Sequence, residues 1–67
     1  MKTNTGYNIR QIRKSLNISQ EEFANKLNIS RSTIQHWENN YTEPNLDALR
    51  KMKQVFGVSY DEIIDGF

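Results

Sequence analysis

Several residue types and patterns are missing from this 67-residue chain, and each absence excludes a class of protein. It has no cysteine, which excludes disulfides and thiolate metal sites and fits a reducing, cytoplasmic location. Its longest apolar runs are two residues, as at Ile63-Ile64, so we expect neither a membrane span nor a secretory signal. A single histidine, His36, has no second His or Cys to share a metal ion, and we predict no metal and no cofactor.

The size of the chain also limits its function. A chain of 67 residues with 36% hydrophobic residues can form one small core, with no room for an enzyme pocket or a small-molecule effector site. It has no glycine-rich phosphate loop, and its carboxylates are scattered, so we predict that it is not an enzyme. The polar start, residues 1–6, is expected to be a flexible tail before one domain at residues 7–67.

The segment from Ser19 to Trp37 is the most informative part of the sequence. Ser19 is followed three residues later by Glu22, the spacing of a capping box at a helix start. Ser30 has the character of a second helix N-cap. Between them, Asn28 tolerates the left-handed conformation that ends a helix, so the chain can reverse there without glycine. The segment therefore predicts a helix-turn-helix.

The apolar residues of this segment have the spacing of two crossed helices that share a core. Phe23 and Leu27 are four residues apart, and Ile34 and Trp37 are three apart, so each pair lies on one helix face. Ala24 is small enough to let the helices cross closely, and Ile29 fills the turn.

Three further helices are predicted, which makes the protein all-α with five helices. The first starts near Tyr7 or Asn8, the fourth follows an Asn45 cap and ends at Gly57, and the fifth follows a Ser59/Glu62 capping box. Their predicted inward residues are Ile9, Ile12 and Leu16 in the first, Leu46, Leu49, Met52, Val55 and Phe56 in the fourth, and Tyr60, Ile63 and Ile64 in the fifth.

From about Ile9 to Ile64 the sequence resembles the Xre/Cro-like family of bacterial and phage regulators. The resemblance lies in Ile12-Arg13, in SQEEFA and ISRSTIQHWEN of the helix-turn-helix, and in Pro44-Asn45-Leu46 and Gly57-Val58-Ser59. It implies a lambda-repressor-like DNA-binding domain, a transcriptional repressor that binds double-stranded DNA as a homodimer on an inverted repeat. Asn28 replaces the glycine usual in the family, and Lys53 replaces a small apolar residue near the usual dimer surface.

The third helix has an outward face suited to reading bases. With Ile34 and Trp37 inward and about 100° per residue, polar side chains that can bond base edges lie on the outer side or its flank. In a helix-turn-helix, the first residues of the second helix enter the major groove. The predicted base-reading residues are Arg31, Ser32, Gln35 and His36.

A second set of polar residues is predicted to contact the phosphate backbone. Gln20 follows the Ser19 cap, where free N–H groups and the helix dipole attract anions. The full set is Gln20, Ser30, Asn39, Asn40, Tyr41 and Thr42. Arg13 and Glu38 lie about 40° from the apolar centres of their helices. The resemblance implies that these two residues form an ion pair that holds the third helix in place.

Charge is distributed unevenly along the chain. Residues 1–56 carry a net charge of +4, whereas residues 57–67 carry −3, so the acidic end is expected to face away from a polyanion. The alternative function on the same fold is an anti-repressor or antitoxin that acts by binding a protein. Its partner would contact the apolar residues near the C-terminus, Tyr60, Ile64 and Phe67.

Overall fold

Five α-helices make up the described part of the chain, residues 4–66 of this computed structural model. They are α1 (Thr5–Ser15), α2 (Gln20–Leu27), α3 (Arg31–Glu38), α4 (Leu46–Phe56) and α5 (Tyr60–Ile64). No strand occurs among these residues, which confirms the predicted all-α fold with a helix-turn-helix at α2 and α3. Within the same range, no helix has both the length and the apolar character needed to cross a bilayer.

Side-chain caps begin four of the five helices. The Ser19, Ser30 and Asn45 side chains accept hydrogen bonds from backbone N–H groups three residues later. At α5 the box is complete, because the Glu62 carboxylate also accepts from the Ser59 backbone N–H at 3.1 Å. The Ser19 box was predicted to be complete and is only half formed in the described structure: Ser19 Oγ accepts from the Glu22 N–H at 3.0 Å.

Asparagines make the chain reversals beside the helix-turn-helix. Asn28 ends α2 with φ of 59° and ψ of 43°, the predicted left-handed conformation. Asn17 and Asn40 also have positive φ, of 59° and 62°, and these two turns were not predicted. The short carboxamide side chain makes this conformation less costly for asparagine than for most residues.

The core lies where α1 packs on α3 and α5, and α2 packs on α3 and α4. Phe23 and Phe56 stack with ring centroids 4.5 Å apart and connect α2 to α4. The buried hydrophobic residues are Ile9, Phe23, Ala24, Leu27, Ile34, Trp37, Leu49, Met52 and Ile63. The apolar spacing of the helix-turn-helix therefore predicted its buried side correctly.

Four residues predicted to face inward are exposed. Leu46 and Val55 each lie roughly 90° around α4 from the centre of its buried stripe, so they flank the core and are 70% and 47% exposed. Leu16 lies one residue beyond the end of α1, and Tyr60 is the first residue of α5. Helix ends extend past their packing partners, which leaves both side chains partly exposed.

The start of α1 corrects the predicted tail at residues 1–6. Thr5 and Gly6 belong to α1 and are buried, and residues 1–3 lie outside the described residues. A Cβ on Gly6 would overlap the Trp37 carbonyl oxygen, so glycine is what allows α1 to approach α3 this closely. Two residues after Gly6, Asn8 Nδ2 donates to the Ile63 carbonyl at 3.0 Å and joins α1 to α5.

Gly6→Ala should therefore destabilise the protein, although alanine is the better helix former. The overlap with the Trp37 backbone should cost about 1 to 3 kcal/mol in the free energy of unfolding and lower Tm by several degrees. Thermal and urea unfolding of the variant measure this loss.

The matched control compares glycine with alanine at an exposed position of α1, Gln11. There Gln11→Ala should be more stable than Gln11→Gly by about 1 kcal/mol, the ordinary helix preference. If alanine is also the more stable residue at position 6, the close α1–α3 approach is wrong.

Candidate nucleic-acid interface

The outer face of α3 carries polar side chains opposite its buried face. Ile34 and Trp37 are buried, so Trp37 is a core residue and not a stacking platform. On the other side Arg31, Ser32 and His36 are exposed and Gln35 is half-buried. None of these four carries a negative charge. All four predicted base-reading residues thus lie on α3, with donors and acceptors that can reach a ligand.

Hydroxyl groups cluster at the start of α3. Ser30 Oγ lies 2.8 Å from Thr33 Oγ1 and 3.2 Å from Ser32 Oγ. The Ser30 hydroxyl also caps the helix by accepting from the Thr33 N–H at 3.3 Å, so this predicted phosphate contact has a structural role as well. Next to the cluster, Arg31 and Gln20 line one shallow depression.

Gln20 has a partner that the sequence did not predict. It is the first residue of α2, as expected, but its side chain is half-buried and Nε2 donates to Glu38 Oε1 at 3.1 Å. The first backbone N–H groups of a helix lack acceptors within the helix. At the start of α2, these N–H groups are therefore the donors available to an anion. The Gln20 side chain instead connects the start of α2 to the end of α3.

Arg13 and Glu38 form the predicted ion pair. Arg13 Nε donates to Glu38 Oε2 at 2.8 Å and Nη2 to Oε1 at 3.2 Å, a two-pronged arrangement. Arg13 also donates to the Ile18 carbonyl at 3.1 Å. The Glu38 side chain is only 3% exposed, and the Arg10 guanidinium lies 4.0 Å from it. The pair connects α1 to α3.

The surroundings of Glu38 keep its carboxylate ionised. Burial alone would raise the pKa of Glu38, because it disfavours the charged form. The hydrogen bonds from Arg13 and Gln20, with the charges of Arg13 and Arg10, outweigh burial and lower the pKa below its ordinary value. In turn, the hydrogen bond to Glu38 raises the pKa of Arg13. The buried acid at the end of α3 is thus neutralised by its own neighbours.

The loop after α3 contains the remaining predicted phosphate contacts. Asn39 is the C-cap of α3, and the Asn40 carboxamide lies against Gly6 at the start of α1. Tyr41 and Thr42 are exposed, and the backbone N–H of Tyr41 donates to the His36 carbonyl at 2.8 Å. Asn40 is exposed but its carboxamide lies against α1, whereas Tyr41 and Thr42 present their side chains to solvent.

The C-terminal residues considered for a protein partner are arranged differently. Tyr60 is 38% exposed and Ile64 is half-buried, while Phe67 lies outside the described residues. Lys53 Nζ lies 4.8 Å from the centre of the Tyr60 ring, a cation–π distance. Lys53 thus covers part of the Tyr60 ring, which was predicted to be available to a protein partner.

A protein-family model described as helix-turn-helix matches residues 9–63. The chain belongs to this Xre/Cro-like helix-turn-helix family. Its structure superimposes on the P22 c2 repressor in complex with a synthetic operator with a TM-score of 0.87 at 30% identity, covering 98% of this chain and 100% of that chain. The fold expected of the family is therefore the fold observed.

Curated members of the family are longer than this chain. It is 34% identical over 58 residues to the transcriptional activator BcrR of Enterococcus faecalis, covering 87% of this chain and 28% of BcrR. It is 34% identical over 59 residues to the antitoxin PezA of Streptococcus pneumoniae, covering 88% of this chain and 37% of PezA. The chain thus spans about a third of the length of these two relatives.

Substituting the buried acid tests the ion pair. Glu38→Gln should lower the free energy of unfolding by about 3 kcal/mol at pH 7, because it leaves the Arg13 charge without its counter-ion. Glu38 has a lowered pKa in the folded state, so its contribution is present above the ordinary glutamate pKa of about 4.3 and is lost as pH falls through the folded value. The difference between wild type and variant should shrink below about pH 4.

Urea unfolding from pH 7 to pH 2.5 measures this difference, and NMR titration of the wild type gives the Glu38 pKa directly. The control is Glu21→Gln in the exposed first turn of α2, which should lose only the helix-dipole contribution of about 0.3 to 1 kcal/mol. A Glu38 pKa at or above the ordinary value would contradict the arrangement.

Proposed function

We propose that this chain is a sequence-specific DNA-binding transcriptional regulator, a repressor that reads the major groove of an inverted-repeat operator with α3. One observation carries the proposal: the exposed face of α3 is polar and free of acids, on a fold that superimposes on an operator-bound repressor. A solvated helix face elsewhere on the molecule need not exclude acids, and the first turn of α5 carries two, Asp61 and Glu62.

Each residue of this face has a specific chemical role in the proposed complex. Arg31, at the start of α3, suits a two-pronged contact with guanine O6 and N7. Gln35 suits adenine in the same way, and Ser32 and His36 donate to or accept from base edges. The free N–H groups at the start of α2, with Thr42 and Tyr41 in the loop after α3, would hold the phosphates on either side.

Two copies of the chain would bind together. An inverted repeat presents the same half-site twice, about 34 Å apart on one face of the duplex, so a symmetric homodimer is the matching protein. The apolar positions Tyr60 and Ile64 at the acidic end, which keeps away from phosphate, are candidates for the contact between copies.

A second candidate function is binding of a protein partner, as in an anti-repressor or antitoxin. The similarity to the antitoxin PezA and the exposed Tyr60 favour it. The acid-free face of α3 favours DNA, because a protein partner that bound the C-terminal residues would not require α3 to lack acids.

Selection from a randomised duplex pool, followed by sequencing, tests the proposal. We expect a palindromic consensus, and we expect Arg31→Ala and Ser32→Ala to lose or relax the preference at particular base pairs, about tenfold for a lost two-pronged contact. The matched control is Arg50→Ala, an exposed arginine on α4 outside the candidate interface, which should leave the consensus unchanged.

No enrichment above background at moderate salt would overturn the proposal and favour the protein-binding alternative. A consensus that survives both α3 substitutions would place the reading surface elsewhere.

The affinity should depend only weakly on salt. Besides the base-reading Arg31, the adjoining part of α1 offers two exposed cations, Arg10 and Lys14, so the slope of log K against log salt should be about −2 per copy, at about −0.9 per neutralised phosphate. Fluorescence anisotropy with the selected duplex between 50 and 300 mM salt measures the slope.

Two substitutions separate cationic from neutral contacts. Because Arg31 is proposed to read a base, Arg31→Ala should leave the slope unchanged, and a slope reduced by about 1 would mean that Arg31 neutralises a phosphate instead. Thr42→Ala should weaken binding equally at all salt concentrations. A wild-type slope steeper than about −6 per copy would mean that further cations contact the duplex.

A further inference from the structure

The rings of His36 and Tyr41 meet at the outer edge of the candidate interface. The ring centroids are 5.9 Å apart with an angle of 70° between planes, the edge-to-face geometry that aromatic pairs prefer. Both side chains are exposed, and Tyr41 is the most exposed large hydrophobic residue described, at 76%. The pair therefore contributes nothing to the core, and burial does not explain it.

The backbone holds the two rings together. Asn40 adopts φ of 62° directly after the C-cap of α3 and turns the chain back toward the helix. The next two backbone N–H groups, of Tyr41 and Thr42, both donate to the carbonyl of His36, at 2.8 and 3.4 Å. The loop is thus built on the same residue whose ring it contacts, and the ring contact is not an isolated meeting of two surface side chains.

An exposed imidazole on a helix samples several rotamers, and each orientation aims its nitrogens differently. A side chain that reads a base must adopt one particular rotamer, and restricting the side chain to that rotamer on binding costs conformational entropy. A neighbouring ring that already restricts the imidazole removes part of that cost before binding.

We propose that Tyr41 is a positioning residue for His36: its aromatic ring, and not its hydroxyl, orients the imidazole that reads one base pair of the operator. This rests on the proposed function, and it replaces the expectation that Tyr41 serves only as a phosphate contact. The base pair is identified as the position of the consensus that relaxes in His36→Ala.

Three variants separate the two roles of Tyr41. Tyr41→Phe keeps the ring and removes the hydroxyl, so the wild-type preference at the His36 base pair should persist. Tyr41→Ala and Tyr41→Leu remove the aromatic ring, and discrimination at that base pair alone should fall about fivefold or more. The matched control is Thr42→Ala, the next exposed residue of the loop, which should lower affinity without changing preference at any position.

The readout is competition binding of the selected duplex against its single-base-pair variants, at fixed pH and salt. In a double-mutant cycle, Tyr41→Ala should have no further effect on discrimination at that position once His36→Ala is present. In the free wild-type domain, NMR should show NOEs between the ring protons of His36 and Tyr41. Because Tyr41 is so exposed, its variants should keep the wild-type Tm within a degree or two.

Three results would overturn the positioning role while leaving the proposed function intact: equal losses in Tyr41→Phe and Tyr41→Ala with an unchanged base preference, additive effects of His36→Ala and Tyr41→Ala, or absence of the NOEs. If the wild type selects no consensus at all, the proposed function fails, and this inference fails with it.

Discussion

The Glu38 carboxylate is the point on which the arrangement of the interface depends. It is almost fully buried, and two helices supply its partners, Arg13 from α1 and Gln20 from α2, so this one side chain of α3 joins three helices. A carboxylate without these donors would be costly to bury, because burial disfavours the charged form. The position of α3 relative to the start of α2 is therefore fixed by the need to satisfy one acid.

The hydrogen-bond network at Glu38 adds little net stability to the native fold, but it strongly destabilises any packing that separates Arg13 from Glu38. The attraction between Arg13 and Glu38 is offset by the cost of removing both charges from water, so such a pair is a modest net stabiliser. Losing either partner leaves a buried charge uncompensated, at about 3 to 5 kcal/mol. A domain of this size has only a few kcal/mol of total stability, so packings that separate the pair are strongly disfavoured.

Local chemistry was predictable from the sequence, whereas distances between elements were not. Ser19, Asn28 and Ser59 act through neighbours three residues away or through their own backbone conformation, and all three were identified as cap or turn residues. The exposure of Val55 was missed because periodicity identifies the centre of a buried face but not its width, which the neighbouring helices determine. The bond from Gln20 to Glu38 spans 18 residues, and no local pattern signals it.

A fold that binds DNA through neutral hydrogen-bond donors must position them more accurately than one that binds through cations. Attraction between a cation and phosphate varies slowly with distance, whereas a hydrogen bond weakens steeply when its geometry is poor. A chain with a net charge of only +1 has little long-range attraction to compensate for misplaced donors. In the proposed complex the donors must therefore be in position before the duplex arrives. The caps at Ser19 and Ser30, the network at Glu38 and the loop folded onto His36 each fix a donor in the free protein, and affinity then follows from the conformational entropy that binding does not have to remove.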